Sequence, residues 1–226
     1  MHSLVSKAMK MDFWIEGEPI TLLPEKVLYL PKHKTVLVAD LHFGKVNHFR
    51  KSGIAVPAKA NDKNADTLIN VINTTKPIRV IFLGDLFHSH YNEEWETVGQ
   101  ILKHFSACSF ELVLGNHDIL SVQQYQWHSI KVFENQLVIG QWLLTHEPLT
   151  ITPENFYNLS GHIHPGARLT GSGRQSMMLP CFYFGKRQGI LPAFGSFTGL
   201  AAIHPKKDEN VFVIAEGRVL EIQNRQ

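Results

Sequence analysis

Two cysteines, Cys108 and Cys181, are all that the 226 residues contain, and they form no CxxC pair. That scarcity excludes a disulfide framework and a thiolate zinc site, and it suits a reducing compartment. Both thiols read as small buried side chains. No run approaches the ~20 consecutive apolar residues of a membrane span. The N-terminal MHSLVSKAMKM is broken by Lys7 and Lys10 and lacks the apolar centre of a secretion signal. A cytoplasmic location is therefore expected. Charge of one sign is also missing, because 22 basic and 20 acidic residues leave a formal net charge of +2. Bulk charge gives no reason to expect nucleic acid; only a local basic patch could. No Pro/Gly/Ser linker, low-complexity tract or internal repeat marks a boundary. The chain reads as a loose extension over 1–10 and one domain over 11–226, long enough for one substantial core.

What is plentiful is histidine, with thirteen residues, several of them at the ends of apolar runs. Val36-Leu37-Val38-Ala39 predicts a buried strand. Ala65, Leu68, Ile69 and Ile72 recur at helical spacing, with Asn61 or Asp62 as the cap. A strand over 78–83 follows, then a helix marked by Trp95, Val98, Leu102 and Phe105, then a strand over 111–114. This alternation predicts βαβ units and a parallel central sheet. Strands over 130–133, 137–145, 176–184 and 211–222 make the second half different. Helical periodicity is scarce there, so a mixed sheet or a second sheet packed on the first fits better.

Polar residues follow each apolar run. TVLVADLH ends in Asp40 and His42, IRVIFLGD in Asp85, and ELVLGNHD in Asn116, His117 and Asp118. QWLLTHEP ends in His146, and NLSGHIHP in His162 and His164. Ligands of open α/β sheets bind at the carboxyl ends of strands. Residues i and i+2 of an extended segment share a side, so Asp40/His42 and His162/His164 are each expected to converge. Gly84, Gly115 and Gly161 precede candidate ligands, where glycine permits a sharp turn or close approach. Taken alone, each motif is an ordinary turn or a surface histidine pair. Together they supply two Asp, one Asn and four His in a fixed order.

That order, D-x-H, GD, GNHD, H and GHxH, resembles the calcineurin-like metallophosphoesterases over nearly the whole chain. DLHFGKVNHFRKSGIAVP, FLGDLFHS and LPCFYFGKRQGILPAFGSFTG look closest to the bacterial DNA ligase-associated metallophosphoesterases. The resemblance implies a four-layer α/β/β/α sandwich, an α/β fold with a mixed central sheet pair and two metals at the strand ends. It implies that Asp40, His42, Asp85 and His164 hold one metal. Asp85, Asn116, His146 and His162 would hold the other, with Asp85 bridging. It also implies a DNA-damage-response endonuclease or phosphodiesterase, functionally linked to a DNA ligase and a helicase.

An imidazole and carboxylate set without thiolate favours Mn, Fe, Zn, Co or Ni, with manganese the first choice. Two such ions lower the pKa of a bridging water, supplying hydroxide near neutral pH, and stabilise charge on the phosphoryl oxygens. His117 is the candidate general acid for the leaving alcohol. Asp118 either orients His117 or stabilises its turn. His88 is a candidate substrate contact or a structural side chain. Lys45, His48, Arg50 and Lys51 form a basic cluster, which is either a solvated face or a contact to a phosphate backbone. Lys186, Arg187 and Arg174 are weaker candidates, and Phe182, Tyr183, Phe184, Phe194 and Phe197 read as core. The leading expectation is a phosphodiester hydrolase acting on DNA. Behind it stand a nucleotide or cyclic-nucleotide phosphoesterase and, with less in its favour, a scaffold that has lost its ligands. Oligomeric state is open.

Overall fold

The structure, a computed structural model, describes residues 9–44, 59–170, 176–196 and 198–222, without the side chains of 59–62. Seven strands run in order across the first sheet: β1 (Met11–Ile15), β2 (Glu18–Leu23), β3 (Val27–Leu30), β4 (Thr35–Val38), β5 (Arg79–Leu83), β6 (Ser109–Val113) and β7 (Ile130–Phe133). Strands β1 to β4 pair antiparallel and β4 to β7 parallel. The parallel half is connected through helices α1 (Lys59–Thr75), α2 (Glu93–His104) and α3 (Val122–Trp127).

The second sheet comprises β8 (Gln136–Ile139), β9 (Trp142–Thr145), β10 (Tyr157–Ser160), β11 (Pro165–Thr170), β12 (Ser176–Phe184), β13 (Gln188–Ile190), β14 (Ala201–Ala202), β15 (Asn210–Ala215) and β16 (Arg218–Ile222). Its main path is β14-β11-β12-β13-β10-β9-β8, and the β15–β16 hairpin attaches to β12. The α/β sandwich with a mixed sheet pair is thus the fold.

Alternation along each strand builds the layers. Val36, Val38, Val80, Phe82 and Leu112 face the helices, where Leu68, Trp95, Leu102 and Tyr125 meet them. Leu37, Ala39, Ile81 and Leu83, one position out of phase, face Trp142, Leu144, Leu159, Phe182 and Phe184 of the second sheet. This is the period-two rule of a strand buried on both sides. Among the described residues all three helices belong to the first of these two cores. Phe182, Phe184 and Phe194 are buried as expected, while Phe197 lies outside the described residues. Cys181 is fully buried, and Cys108 only partly, with burial pushing its thiol up to about 11.

Several expectations need correction. Helix α1 begins at Lys59, so Asn61 and Asp62 lie inside it and not at its cap. Acidic residues favour the first turn as well as the cap, so Asp62 marks the right end of the helix at the wrong position. The segment 137–145 is two strands, because Gly140 (φ 56°) and Gln141 turn it into a hairpin that pairs Ile139 with Trp142. The segment 211–222 is likewise a hairpin, turned at Glu216 (φ 49°) and Gly217 (φ 71°) as a primed turn requires. Of residues 1–10, Met9 and Lys10 are described, and Met9 bridges to Arg218; the rest lie outside the described residues. No helix among the described residues is long and apolar enough to cross a membrane.

A buried carboxylate is among the polar contacts that fasten the two sheets. Glu18, 5% exposed on β2, accepts hydrogen bonds from Trp142 Nε1 of β9 at 2.8 Å and from Lys32 Nζ at 3.1 Å. His33 Nε2 lies 2.9 Å from its other face. Burial alone would raise the Glu18 carboxyl, but the Trp142 indole, the Lys32 ammonium and His33 together hold it below the ordinary value. A depressed folded-state pKa gives stability that is present above the unfolded pKa and lost as pH falls through the folded one. Glu18→Gln is therefore expected to cost about 1.5–3 kcal/mol at pH 7, the range for a hydrogen bond to a charged group. Urea titrations should show that gap closing as pH drops below the glutamate range; a gap independent of pH would contradict it.

Candidate metal centre

Strands β4, β5 and β6 are parallel in the first sheet, and β9 and β10 are parallel in the second. Their carboxyl ends lie along one rim. Asp40 and His42 follow β4, Asp85 follows β5, Asn116 and His117 follow β6, His146 follows β9, and His162 and His164 follow β10. All seven candidate ligands come together there.

They converge by a different route from the one the spacing suggested. Asp40 (φ 51°), His42 (φ 51°), Asp85 (φ 51°), His162 (φ 65°) and His164 (φ 52°) are all left-handed. The i, i+2 pairs share a site because both members are kinked, not because the segment is extended. Backbone contacts hold the kinks. His42 N donates to Asp85 O at 2.8 Å, and Gly195 N donates to Asp40 O at 3.1 Å.

The two carboxylates are 0% and 2% exposed, and each is oriented by a backbone N–H from a different loop. His162 N donates to Asp40 Oδ2 at 2.8 Å, and His117 N donates to Asp85 Oδ1 at 2.9 Å. The remaining oxygens face imidazoles. Asp40 Oδ1 lies 3.5 Å from His164 Nε2 and 3.9 Å from His146 Nδ1. Asp85 Oδ2 lies 3.8 Å from His42 Nε2, and its Oδ1 lies 3.6 Å from His146 Nε2. Asp85 thus stands between two histidines, one oxygen toward each. His146 Nδ1 also meets the Leu83 carbonyl at 3.0 Å, which assigns the proton to Nδ1 and frees Nε2. That Nε2 lies 3.0 Å from Asn116 Oδ1 and 3.1 Å from His162 Nδ1.

Potential ligand atoms of Asp40, His42 and His164 lie within 4.8 Å of one another, as do those of Asp40, Asp85 and His146. Asp40 Oδ1 is buried and has no hydrogen-bond partner among the described residues. Burying two carboxylates without a counter-ion is costly, and imidazole nitrogens turned toward them are transition-metal donors. The donor set therefore fits divalent cations.

Glycine is required next to these atoms. A Cβ on Gly115 would sit 2.3 Å from Asp85 Oδ1, and one on Gly161 would sit 2.5 Å from Asp40 Oδ2. The glycines that precede ligands are there for close approach.

His117 and His88 cover the site together. Their rings stack at 3.9 Å, with 29° between planes, and the His117 ring centroid is 6.0 Å from that of His42. His88 Nδ1 lies 3.3 Å from His42 Nδ1. His88 therefore touches a candidate ligand and the candidate acid, a position its spacing from Asp85 did not reveal.

Among the described residues the Asp118 carboxylate bonds groups other than the His117 ring. It accepts from the backbone N–H groups of Asp85 (2.8 Å), Leu86 (2.9 Å), Phe87 (3.3 Å) and Gly115 (2.9 Å), and from Tyr125 Oη (3.3 Å). Even so, burial pushes its carboxyl up to about 6. Of its two readings, the turn-stabilising one matches: Asp118 ties the Asp85 loop to the Gly115 loop. The Gly115 N–H, three residues back, is the local turn contact, while the other three backbone donors lie 31 to 33 residues away and leave no spacing signal.

Lys45, His48, Arg50, Lys51 and Arg174 lie outside the described residues. Lys186 and Arg187 lie away from the centre. The Arg187 carbonyl accepts from Asn158 N near the start of β10, and its guanidinium bonds the Pro153 and Phe156 carbonyls.

Two sheets that bring the buried side chains of Asp40, His42, Asp85 and His146 to one rim, with His162 and His164 half-buried and Asn116 exposed beside them and no thiolate, define a metal-dependent hydrolase centre. The calcineurin-like phosphoesterase profile matches residues 33–177, from β3–β4 to β12, and the chain belongs to that family. It is a metal-dependent phosphoesterase. A nuclease from Pseudomonas putida, nuclease MPE, is 27% identical over 94% of this chain and 100% of its own, with a TM-score of 0.80. A protein of unknown function from Aquifex aeolicus is 18% identical over 57% of this chain and 78% of its own, with a TM-score of 0.40. A conserved uncharacterised protein from Streptococcus pneumoniae, described as a predicted phosphoesterase, is 13% identical over 80% of this chain and 83% of its own (TM-score 0.33). Among curated proteins none matches.

Proposed function

We propose that this protein is a nuclease that hydrolyses DNA phosphodiesters with two divalent metal ions, belongs to the DNA ligase-associated group, and serves DNA repair in the cytoplasm. The observation that carries the nucleic-acid reading is the likeness to the Pseudomonas nuclease along its entire length. Manganese is the first choice of metal, with a functional link to a DNA ligase and helicase. Asp40, His42, Asp85 and His164 would hold one ion, and Asp85, Asn116, His146 and His162 the other.

Ions held there would supply positive charge for the phosphoryl oxygens and acidify the attacking water. The chain supplies the rest. The His162 and His117 backbone N–H groups fix the directions of Asp40 and Asp85. The Leu83 carbonyl sets the His146 tautomer. The His117 imidazole, held flat against His88, donates a proton to the departing alcohol oxygen.

The test is cleavage of end-labelled linear and closed circular single-stranded DNA with added Mn²⁺, with chelated enzyme as control. Metal-dependent cutting of the circle is expected. Cutting of the linear strand alone would make the enzyme an end-processing one. Failure on both, with a small phosphodiester still hydrolysed, would replace the nuclease reading with that of a nucleotide phosphoesterase.

A further inference from the structure

A second polar cavity opens on the same rim, beside the metal centre. The antiparallel register pairing Leu28 with Leu37 puts the β2–β3 turn, Pro24 to Lys26, at the carboxyl end of β4, where Asp40 lies. Adjacent strands are about 5 Å apart, so this turn is only roughly 5–10 Å across the sheet from the end of β4. Lys26 from the turn and Lys63, Asn64 and Thr67 from α1 line a cavity of about 310 Å³, with Ser196 and Phe194 opposite. Its polar wall is bonded to the ligand loop. Ser196 Oγ donates to Asn64 Oδ1 at 2.7 Å, and Asn64 Nδ2 donates to the Leu41 carbonyl, between Asp40 and His42, at 3.5 Å.

The charges here are unbalanced. Neither Lys26 nor Lys63 makes an ion pair with a carboxylate among the described residues. Glu25 also lines the cavity, yet no ion pair joins it to either ammonium. Burial first, and then the neighbouring Lys63 ammonium, lower the pKa of Lys26. The half-buried Lys26 ammonium and the exposed Lys63 ammonium repel each other at the cavity, and an anion placed with them would relieve that repulsion.

We propose that the Lys26–Lys63 cavity is a subsite for a phosphate of the DNA strand other than the one being cut. This rests on the nuclease reading above and adds to it how the strand is gripped. A strand carries one phosphate per about 3.4 Å of axis in duplex form, so a chain crossing the metal centre has others within reach of this cavity. Such a contact positions the strand without reading sequence. It lies outside the GD, GNHD and GHxH motifs.

The experiment compares wild type, Lys26→Gln/Lys63→Gln and Lys26→Arg/Lys63→Arg on single-stranded DNA and on bis(4-nitrophenyl) phosphate over a range of salt. The double glutamine variant should keep kcat/KM on the small diester within about twofold. On DNA it should lose activity several-fold at low salt, and its salt slope should flatten by about 1, the mark of one lost phosphate contact. The arginine variant should restore the slope. An unchanged slope and rate on DNA overturns the subsite while leaving the nuclease reading intact. Equal loss on both substrates also overturns it, because the lysines would then act on the metal centre. A wild type that hydrolyses the small diester but not DNA overturns the nuclease reading and the subsite with it.

Discussion

His117→Ala is expected to keep its full complement of metal and lose about 10²–10⁴-fold in phosphodiester hydrolysis, the range for loss of a general acid. The separation of the two effects follows from which atoms the residue uses. Its backbone N–H orients Asp85 Oδ1 at 2.9 Å, and alanine retains that N–H. Its side chain faces His88 and the open side of the site. The loss should grow as the leaving alcohol becomes more basic, because an activated 4-nitrophenolate departs without a proton and an alkoxide does not. His146→Ala is the contrasting variant: its ring is 5% exposed and lies 3.6 Å from Asp85 and 3.0 Å from Asn116, so it should lose metal. Metal analysis of both proteins, with rates on two diesters of different leaving group, decides the matter. Equal metal depletion in the two variants would sink this division of roles.

Asp85→Asn is expected to fold normally yet bind metal poorly and lose roughly 10³-fold or more in activity, since the charge stabilisation at stake is several kcal/mol and each 1.36 kcal/mol is tenfold. Asparagine preserves the shape. The Asp85 N–H still donates to Asp118, and its carbonyl still accepts from His42 N. One side-chain oxygen can still accept from His117 N. What disappears is the negative charge between His42 and His146, and with it the second oxygen that faces an imidazole. The metal-free variant should be at least as heat-stable as the metal-free parent, because a buried charge has been removed. Circular dichroism melting, metal content and rate together make the test. Full metal content at full rate would show that Asp85 is not the shared ligand.

How much of this was legible depended on the kind of interaction. The ends of β4, β5 and β6 were readable because apolar runs stop at Asp40, Asp85 and Gly115-Asn116, and a run buried on both faces has a simple signature. Helix α2 was readable from Trp95, Val98 and Leu102, all buried. The antiparallel strands β1 to β3 were not identified: β1 is five residues with a half-exposed pattern, and its partner is fixed by the turn that follows it. Within the site, residue types were readable and their conformations were not. The left-handed kinks depend on bonds such as His42 N to Asp85 O, 43 positions apart, which leave no periodic trace. Asp118 shows the same limit. Its neighbours in sequence left it either a partner for His117 or a turn-stabiliser, and in space it bonds the Gly115 amide of its own turn and three amides of another loop.

The five left-handed residues at the centre have an evolutionary consequence. An L-residue in that region costs roughly 1–2 kcal/mol, so five cost roughly 5–10 kcal/mol, as much as the net stability of an ordinary domain. Asp and His tolerate the region better than most side chains, which lowers the sum without removing it. Selection for heat resistance alone would thus exchange these positions for glycine, beginning with His164, the more exposed of those facing Asp40. Asp and His at these positions set endurance against chemistry, because the side chains that could hold a metal stand where the backbone would be more stable as glycine.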